Sequence, residues 1–189
     1  MTGPRRADAR QNRDRILEVA REALLATGDA SLNSIAKAAG VGPGTLYRHF
    51  PNREALVLAV YRHDVQLLVD FAPDLLRDHP PLVALRTWIE RLAEYVRLKH
   101  GMLEVMRAVQ SHDLVSETYG PITDAMALLL KACEDAGSVR PGVDPDDLLL
   151  LVGFLWRIEP GDDQAARASR MLDLVIDGLR AGAAPGQAS

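Results

Sequence analysis

The sequence holds a single cysteine, few aromatic residues (5% of 189) and no apolar stretch longer than the nine residues Leu148 to Trp156. The lone Cys133 excludes an intrachain disulfide and a cysteine-based zinc site, and it fits a reducing cytoplasm. Nine apolar residues fall far short of the roughly 20 that a membrane-crossing helix needs, so no membrane partner is expected. The opening MTGPRRADARQNRDR is charged and lacks the apolar stretch of a secretory signal, which also makes the cytoplasm the expected location. No G-x-S-x-G nucleophile elbow occurs, and no internal repeat is visible. What remains is an ordinary soluble composition, 48% hydrophobic and 25% charged, of a length that one compact domain or a domain with an appendage accommodates.

The net charge of −4 is unevenly distributed. Residues 1–53 carry nine Lys+Arg against five Asp+Glu, whereas the remainder carries 13 against 21, so a +4 end is joined to a −8 body. A basic end on an acidic body suits a polyanion partner; charge alone equally suits a solvated arm.

Apolar residues recur at three- and four-residue steps almost throughout, which predicts an all-α protein of about nine helices. One stripe is Ile16, Ala20, Ala23 and Leu24; a second is Leu56, Val60, His63 and Leu67; a third runs Leu85, Trp88, Ile89, Leu92, Tyr95 and Val96. Ile122, Met126, Leu129, Leu130 and Cys133 form a fourth, and Ala168, Met171, Leu172, Val175 and Leu179 mark a last helix ending at Gly182. Breaks are expected at Gly28-Asp29, Gly40 to Gly44, Pro51-Asn52, Asp78 to Pro81, Gly101, Gly120-Pro121, Ala136 to Gly142 and Glu159 to Asp163. Asp144-Pro145-Asp146-Asp147 reads as a capped helix start. The LLLLVGFLW that follows is apolar all round, so it is expected to be buried on more than one side.

The most informative stretch is Ser31 to Arg53, SLNSIAKAAGVGPGTLYRHFPNR. Ser31 suits an N-cap, Gly40 a positive-φ turn, Val41 a plug between helices and Pro43 the first turn of a further helix. In that helix Leu46 and Phe50, four residues apart, point inward and leave Gly44, Thr45, Tyr47, Arg48 and His49 on outer or flanking faces. Such a face suits DNA, since arginine reads guanine edges, threonine contacts a thymine methyl, and tyrosine and histidine bind phosphates.

The string IAKAAGVGPGTLYRHFPNREAL resembles the helix-turn-helix signature of the tetracycline-repressor-like (TetR) family of bacterial transcriptional regulators, a likeness covering roughly residues 10–60. The resemblance implies an N-terminal three-helix DNA-binding domain (1–55), a C-terminal effector-binding and dimerisation bundle (56–182) and a flexible tail (183–189). It implies that Pro43, Gly44, Thr45, Tyr47 and Arg48 approach the major groove, with Arg48 the base reader. Tyr47, His49, Arg53 and Lys37 would hold phosphates, and Arg10, Arg13 and Arg15 would track the flanking backbone. Asn33 and Ser34 stand where many members carry a basic residue, so contacts there would be neutral hydrogen bonds. The implied partners are a palindromic double-stranded operator, a small-molecule effector and a second copy of the chain, with no cofactor and no metal.

In the acidic body, Trp88, Tyr95, Met102, Met106, Arg107 and Met126 are candidate pocket residues, although such stripes are more often core. Leu148, Leu151, Val152 and Leu155, with Met171, Leu172, Val175 and Leu179, are candidates for a four-helix dimer interface. Two rival readings are a helical protein-binding adaptor and a metal-dependent phosphohydrolase using His49, His63-Asp64 and His112-Asp113. His63 lies on an apolar stripe and no fourth ligand has a convincing spacing, which disfavours the latter.

Overall fold

The computed structural model describes residues 4–27, 30–101, 112–158 and 163–182. Among these, eight α-helices follow in the order α1 (Pro4–Thr27), α2 (Leu32–Ala38), α3 (Pro43–His49), α4 (Arg53–Asp78), α5 (Pro81–Gly101), α6 (His112–Asp135), α7 (Pro145–Leu151) and α8 (Gln164–Arg180). A 3₁₀ segment, Val152–Trp156, continues α7. The described residues contain no strand. No described helix is long and apolar enough to cross a membrane. The expected breaks at Gly28-Asp29 and 159–162, and the expected flexible tail 183–189, lie outside the described residues.

The chain forms two compact units, Met1–Asp64 with Leu98–His112 and Val65–Arg97 with Asp113–Ser189. The boundary expected at residue 55 therefore falls inside α4. Leu56, Val57, Ala59 and Val60 of α4 complete a core with Ile16, Leu17, Ala20 and Leu24 of α1, Ile35 and Ala36 of α2, Leu46 of α3 and Phe50, its C-cap. Small residues such as Ala36 and Ala39 let the short α2 pack closely within this cluster. Asp64, the last residue of the unit on α4, is buried and pairs with Arg21 of α1 at 3.1 Å. That partner offsets the desolvation of the carboxylate.

Among the described residues Trp88 is the largest wholly buried side chain of the second unit, and its indole N–H donates to the Leu68 carbonyl of α4 at 2.8 Å. Leu85, Ile89 and Leu92 share its helix face, with Met126, Leu129 and Leu130 of α6 also fully buried. Arg86 ties α5 to α8, donating to Asp173 at 2.5 Å and to the Ser169 hydroxyl at 2.9 Å. Burial pushes the Cys133 thiol up to about 11, as expected of a packing residue and not of a nucleophile.

Three expectations change. α6 runs straight through Gly120-Pro121, because burial of Ile122, Ala125 and Met126 outweighs the roughly 3 kcal/mol that an interior proline costs. Leu67 is half exposed, since the buried face of α4 passes through Val65, Leu68, Ala72 and Leu75. The stretch LLLLVGFLW is not one helix buried all round: α7 tightens to 3₁₀ at Val152, and Leu150 and Leu151 face outward. The caps, in contrast, form as expected. Asp144 accepts from the N–H groups of Asp146 and Asp147 at 2.8 and 3.2 Å, and Gly182 follows α8 with φ +81°.

Trp88→Ala is expected to lower the stability to urea by about 3–5 kcal/mol, from lost burial plus the cavity left behind. Leu67→Ala, at an exposed site, should change it by less than about 1 kcal/mol. Equal losses in parallel denaturation curves would contradict this placement of the core.

Candidate nucleic-acid interface

The helix-turn-helix is built from α2, a glycine turn and α3. Ser31 caps α2 by accepting from the Ser34 N–H at 3.1 Å. At the other end Gly40 adopts φ +65°, its N–H bonds the Lys37 carbonyl at 3.1 Å, and the Val41 N–H reaches back to Ala36 at 3.0 Å. This is a Schellman closure, which needs the left-handed conformation that glycine takes without penalty. Val41 packs half-buried against the core.

α3 has only seven residues, and its docking depends on Leu46, fully buried, and Phe50, its C-cap. The guanidinium of Arg13 lies over the Phe50 ring at 5.7 Å, and the His49 ring sits 6.1 Å from it. Arg13 therefore braces the end of α3 from α1, a role in addition to the expected backbone contact. Arg15 bonds Asn12 at 3.4 Å, and the side chain of Arg10 lies outside the described residues.

With Leu46 and Phe50 inward, the opposite face of α3 points to solvent. Pro43, Gly44, Tyr47 and Arg48 are exposed, Tyr47 to 44%, while Thr45 and His49 are half-buried. Lys37 projects from α2 and Arg53 opens α4, where Asn52 accepts from the Ala55 N–H at 2.8 Å. No acidic residue occurs between Asp29 and Glu54. Among the described residues, neither Lys37 nor Arg48 has a carboxylate partner. The arrangement is an acid-free set of donors around an exposed helix, the kind of face that suits a major groove. Asn33 and Ser34 are exposed, but the Ser34 hydroxyl already donates to the Ser31 carbonyl at 2.7 Å, so Asn33 is left as the uncommitted amide.

The remaining candidates fare differently. Trp88, Tyr95 and Met126 are all buried, with Trp88 spending its one polar atom on Leu68. Met102, Met106 and Arg107 lie outside the described residues. Of the residues expected at a dimer interface, Leu148, Val152, Leu155, Leu172 and Leu179 are instead buried in their own subunit's core, and Met171 and Val175 are half-buried. Leu151 keeps 56% exposure, and two leucines that the periodicity did not single out, Leu150 and Leu174, are 75% and 73% exposed. A cleft of about 470 Å³, also not foreseen, lies beside the 3₁₀ segment; its walls combine Phe154, Ile158 and Met171 with Arg157, Arg167 and Asp163. Among the described residues no three of His, Cys, Asp and Glu converge to hold a metal, and Asp64 is engaged by Arg21.

Known sequences and structures agree with this geometry. Residues 16–60 match the family described as bacterial regulatory proteins, tetR family, and residues 80–181 match the C-terminal domain described as transcriptional regulator SbtR-like. The HTH-type transcriptional regulator UidR of Escherichia coli K12 is 30% identical over 192 residues, covering 92% of each chain. The crystal structure of the TetR transcriptional regulator SCO0520 from Streptomyces coelicolor superposes with a TM-score of 0.80 at 39% identity, over 93% of this chain and 99% of that one. A TetR regulatory protein from Mycobacterium vanbaalenii gives 0.77 at 32% identity, over 94% and 99%. With an exposed recognition helix in its first unit and such relatives along nearly its whole length, the chain belongs to the TetR family of helix-turn-helix transcriptional regulators.

Proposed function

We propose that the protein is a cytoplasmic homodimeric repressor that occupies a palindromic operator and leaves it when a small molecule binds the second unit. The observation that carries the DNA half of this reading is the exposed face of α3, where Tyr47 and Arg48 project from an acid-free segment. Arg48 reads a base edge, Thr45 and Tyr47 flank it, and Lys37, His49 and Arg53 hold phosphates on either side. One seven-residue helix contacts only a few base pairs, so affinity calls for two, spaced by roughly 34–36 Å on a two-fold axis.

Leu150 and Leu151 on α7 and Leu174 on α8 support the dimer, because large leucines this exposed are costly on a monomer's surface. Trp88, Tyr95 and Met126, all buried in the second unit, serve the effector by repacking. Binding of effector and operator must oppose each other reciprocally, by typically about 1–3 kcal/mol.

Selection of duplexes from a random library at about 0.15 M salt is expected to enrich a palindrome. Arg48→Ala should then relax the preference at one base pair per half-site, costing about 1–3 kcal/mol on the enriched duplex. An equal loss on enriched and random duplex would remove Arg48 from base reading. Arg53→Ala should weaken binding to every duplex alike and flatten the dependence of log K on log salt by about one; an unchanged slope would exclude the phosphate contact.

Sedimentation of the parent at micromolar concentration is expected to show a dimer. The pair Leu150→Glu and Leu174→Glu should convert it to monomer without loss of helicity. A dimer that survives both changes would place the interface elsewhere.

A further inference from the structure

The second unit spends most of its cations on its own carboxylates. Arg77, Arg86, Arg91, Lys131, Arg170 and Arg180 each pair with an Asp or a Glu. Among the described side chains of this unit, Arg140, Arg157 and Arg167 have no such partner. Two of these three, Arg157 and Arg167, line the cleft beside the 3₁₀ segment.

The winding of the chain sets both arginines beside apolar atoms. In a 3₁₀ segment residues three apart share a face, so Val152 and Leu155 enter the core together while Phe154 and Arg157 share another face. On α8, Gln164, Arg167 and Met171 recur at three- and four-residue steps and lie along one face of the helix. Each wall of the cleft therefore joins an exposed guanidinium to half-buried apolar surface, Phe154 and Ile158 on one side and Met171 on the other. Asp163 also lines the cleft, but its carboxylate accepts from Arg170 at 2.9 Å and bonds neither wall arginine. The volume between the walls, about 470 Å³, is that of a small-ligand site.

We infer that this cleft binds a small organic monocarboxylate, whose charged end is held by Arg157 and Arg167 and whose apolar body lies on Phe154, Ile158 and Met171. Two guanidiniums and one carboxylate give the lining a net charge that a single anionic group neutralises and a dianion exceeds. Guanidinium groups match the planar fork of a carboxylate, and the apolar walls reward a ligand that carries more than the charge. The site goes beyond the repressor reading: Trp88, Tyr95 and Met126 form no part of it, and its occupancy is measured without DNA.

The test is equilibrium dialysis of the full chain against octanoate, with acetate and octanol as probes that lack the apolar body or the charge. Octanoate is expected to bind saturably, one per subunit, and both controls about tenfold more weakly or worse. Arg157→Gln and Arg167→Gln should each weaken octanoate binding by about fivefold or more with helicity unchanged. Arg140→Gln removes the unpartnered guanidinium outside the cleft and should leave binding as in the parent. Octanol bound as tightly as octanoate, an equal loss from Arg140→Gln, or no saturable binding by the parent overturns the inference. Sedimentation of the same variants distinguishes a ligand from a second subunit: a dimer lost in Arg157→Gln or Arg167→Gln assigns the cleft to the subunit interface and overturns it too. None of these outcomes bears on operator binding, which the duplex selection tests separately.

Discussion

A helix of seven residues does not hold itself together in water, because nucleation costs more than its few hydrogen bonds return. α3 exists because Leu46 and Phe50 are buried against α1, α2 and α4. That docking sets which residues face outward: once positions 46 and 50 are committed to the core, the helical period leaves Gly44, Tyr47 and Arg48 to solvent. The other features of the first unit serve the same dock. The Schellman turn at Gly40 brings α3 back across α2, the Arg13 guanidinium lies over the Phe50 ring, and Asn52 caps the start of α4.

Charge placement follows a similar economy. A carboxylate in the first turn of a helix is locally stabilising, and α7 uses two, whereas the whole segment from Ala30 to Arg53 uses none. In α3 the basic Arg48 and His49 sit in the last turn, where they complement the helix dipole. The same placement leaves the first turn neutral. Local stability and attraction of a polyanion thus agree at one end of α3 and conflict at the other, and the sequence sides with the polyanion.

Much of this was legible without coordinates because it is encoded over three to five residues. Ser31, Gly40, Asp144 and Gly182 announce caps and turns by chemistry that needs no distant partner, and each takes the expected conformation. The fold class followed from periodicity for the same reason. What periodicity could not supply is which neighbour covers an apolar face. Leu67 continues the stripe of Leu56 and Val60 yet lies half exposed, and Leu148 and Leu150 look equivalent in sequence while one is buried and the other is 75% exposed. The switch to 3₁₀ at Val152 compounds this, since a tighter winding rotates each later side chain by about 20° more per residue than an α-helix does. Pro121 misled in the opposite direction: a breaker by local rule, it is overruled by the buried residues that follow it.

The buried pair of Arg21 and Asp64 fixes how far the first unit extends. A carboxylate with 6% exposure that gives up the Arg21 guanidinium loses a charged partner in a poorly solvated place, so the register between α1 and the first turns of α4 is held at Asp64 as well as by Leu56, Val57 and Val60. Those same turns form one wall of the dock for α3. A displacement of α4 large enough to matter for DNA therefore has two routes: it breaks the Arg21–Asp64 pair, or it carries α1 and α3 along as a body. The first takes a charged partner from a buried carboxylate and disturbs the core; the second leaves the recognition face intact and changes only where it points. Packing favours the second, and the dimer proposed above, with its two recognition helices at a fixed spacing, would be sensitive to a rigid displacement of this kind.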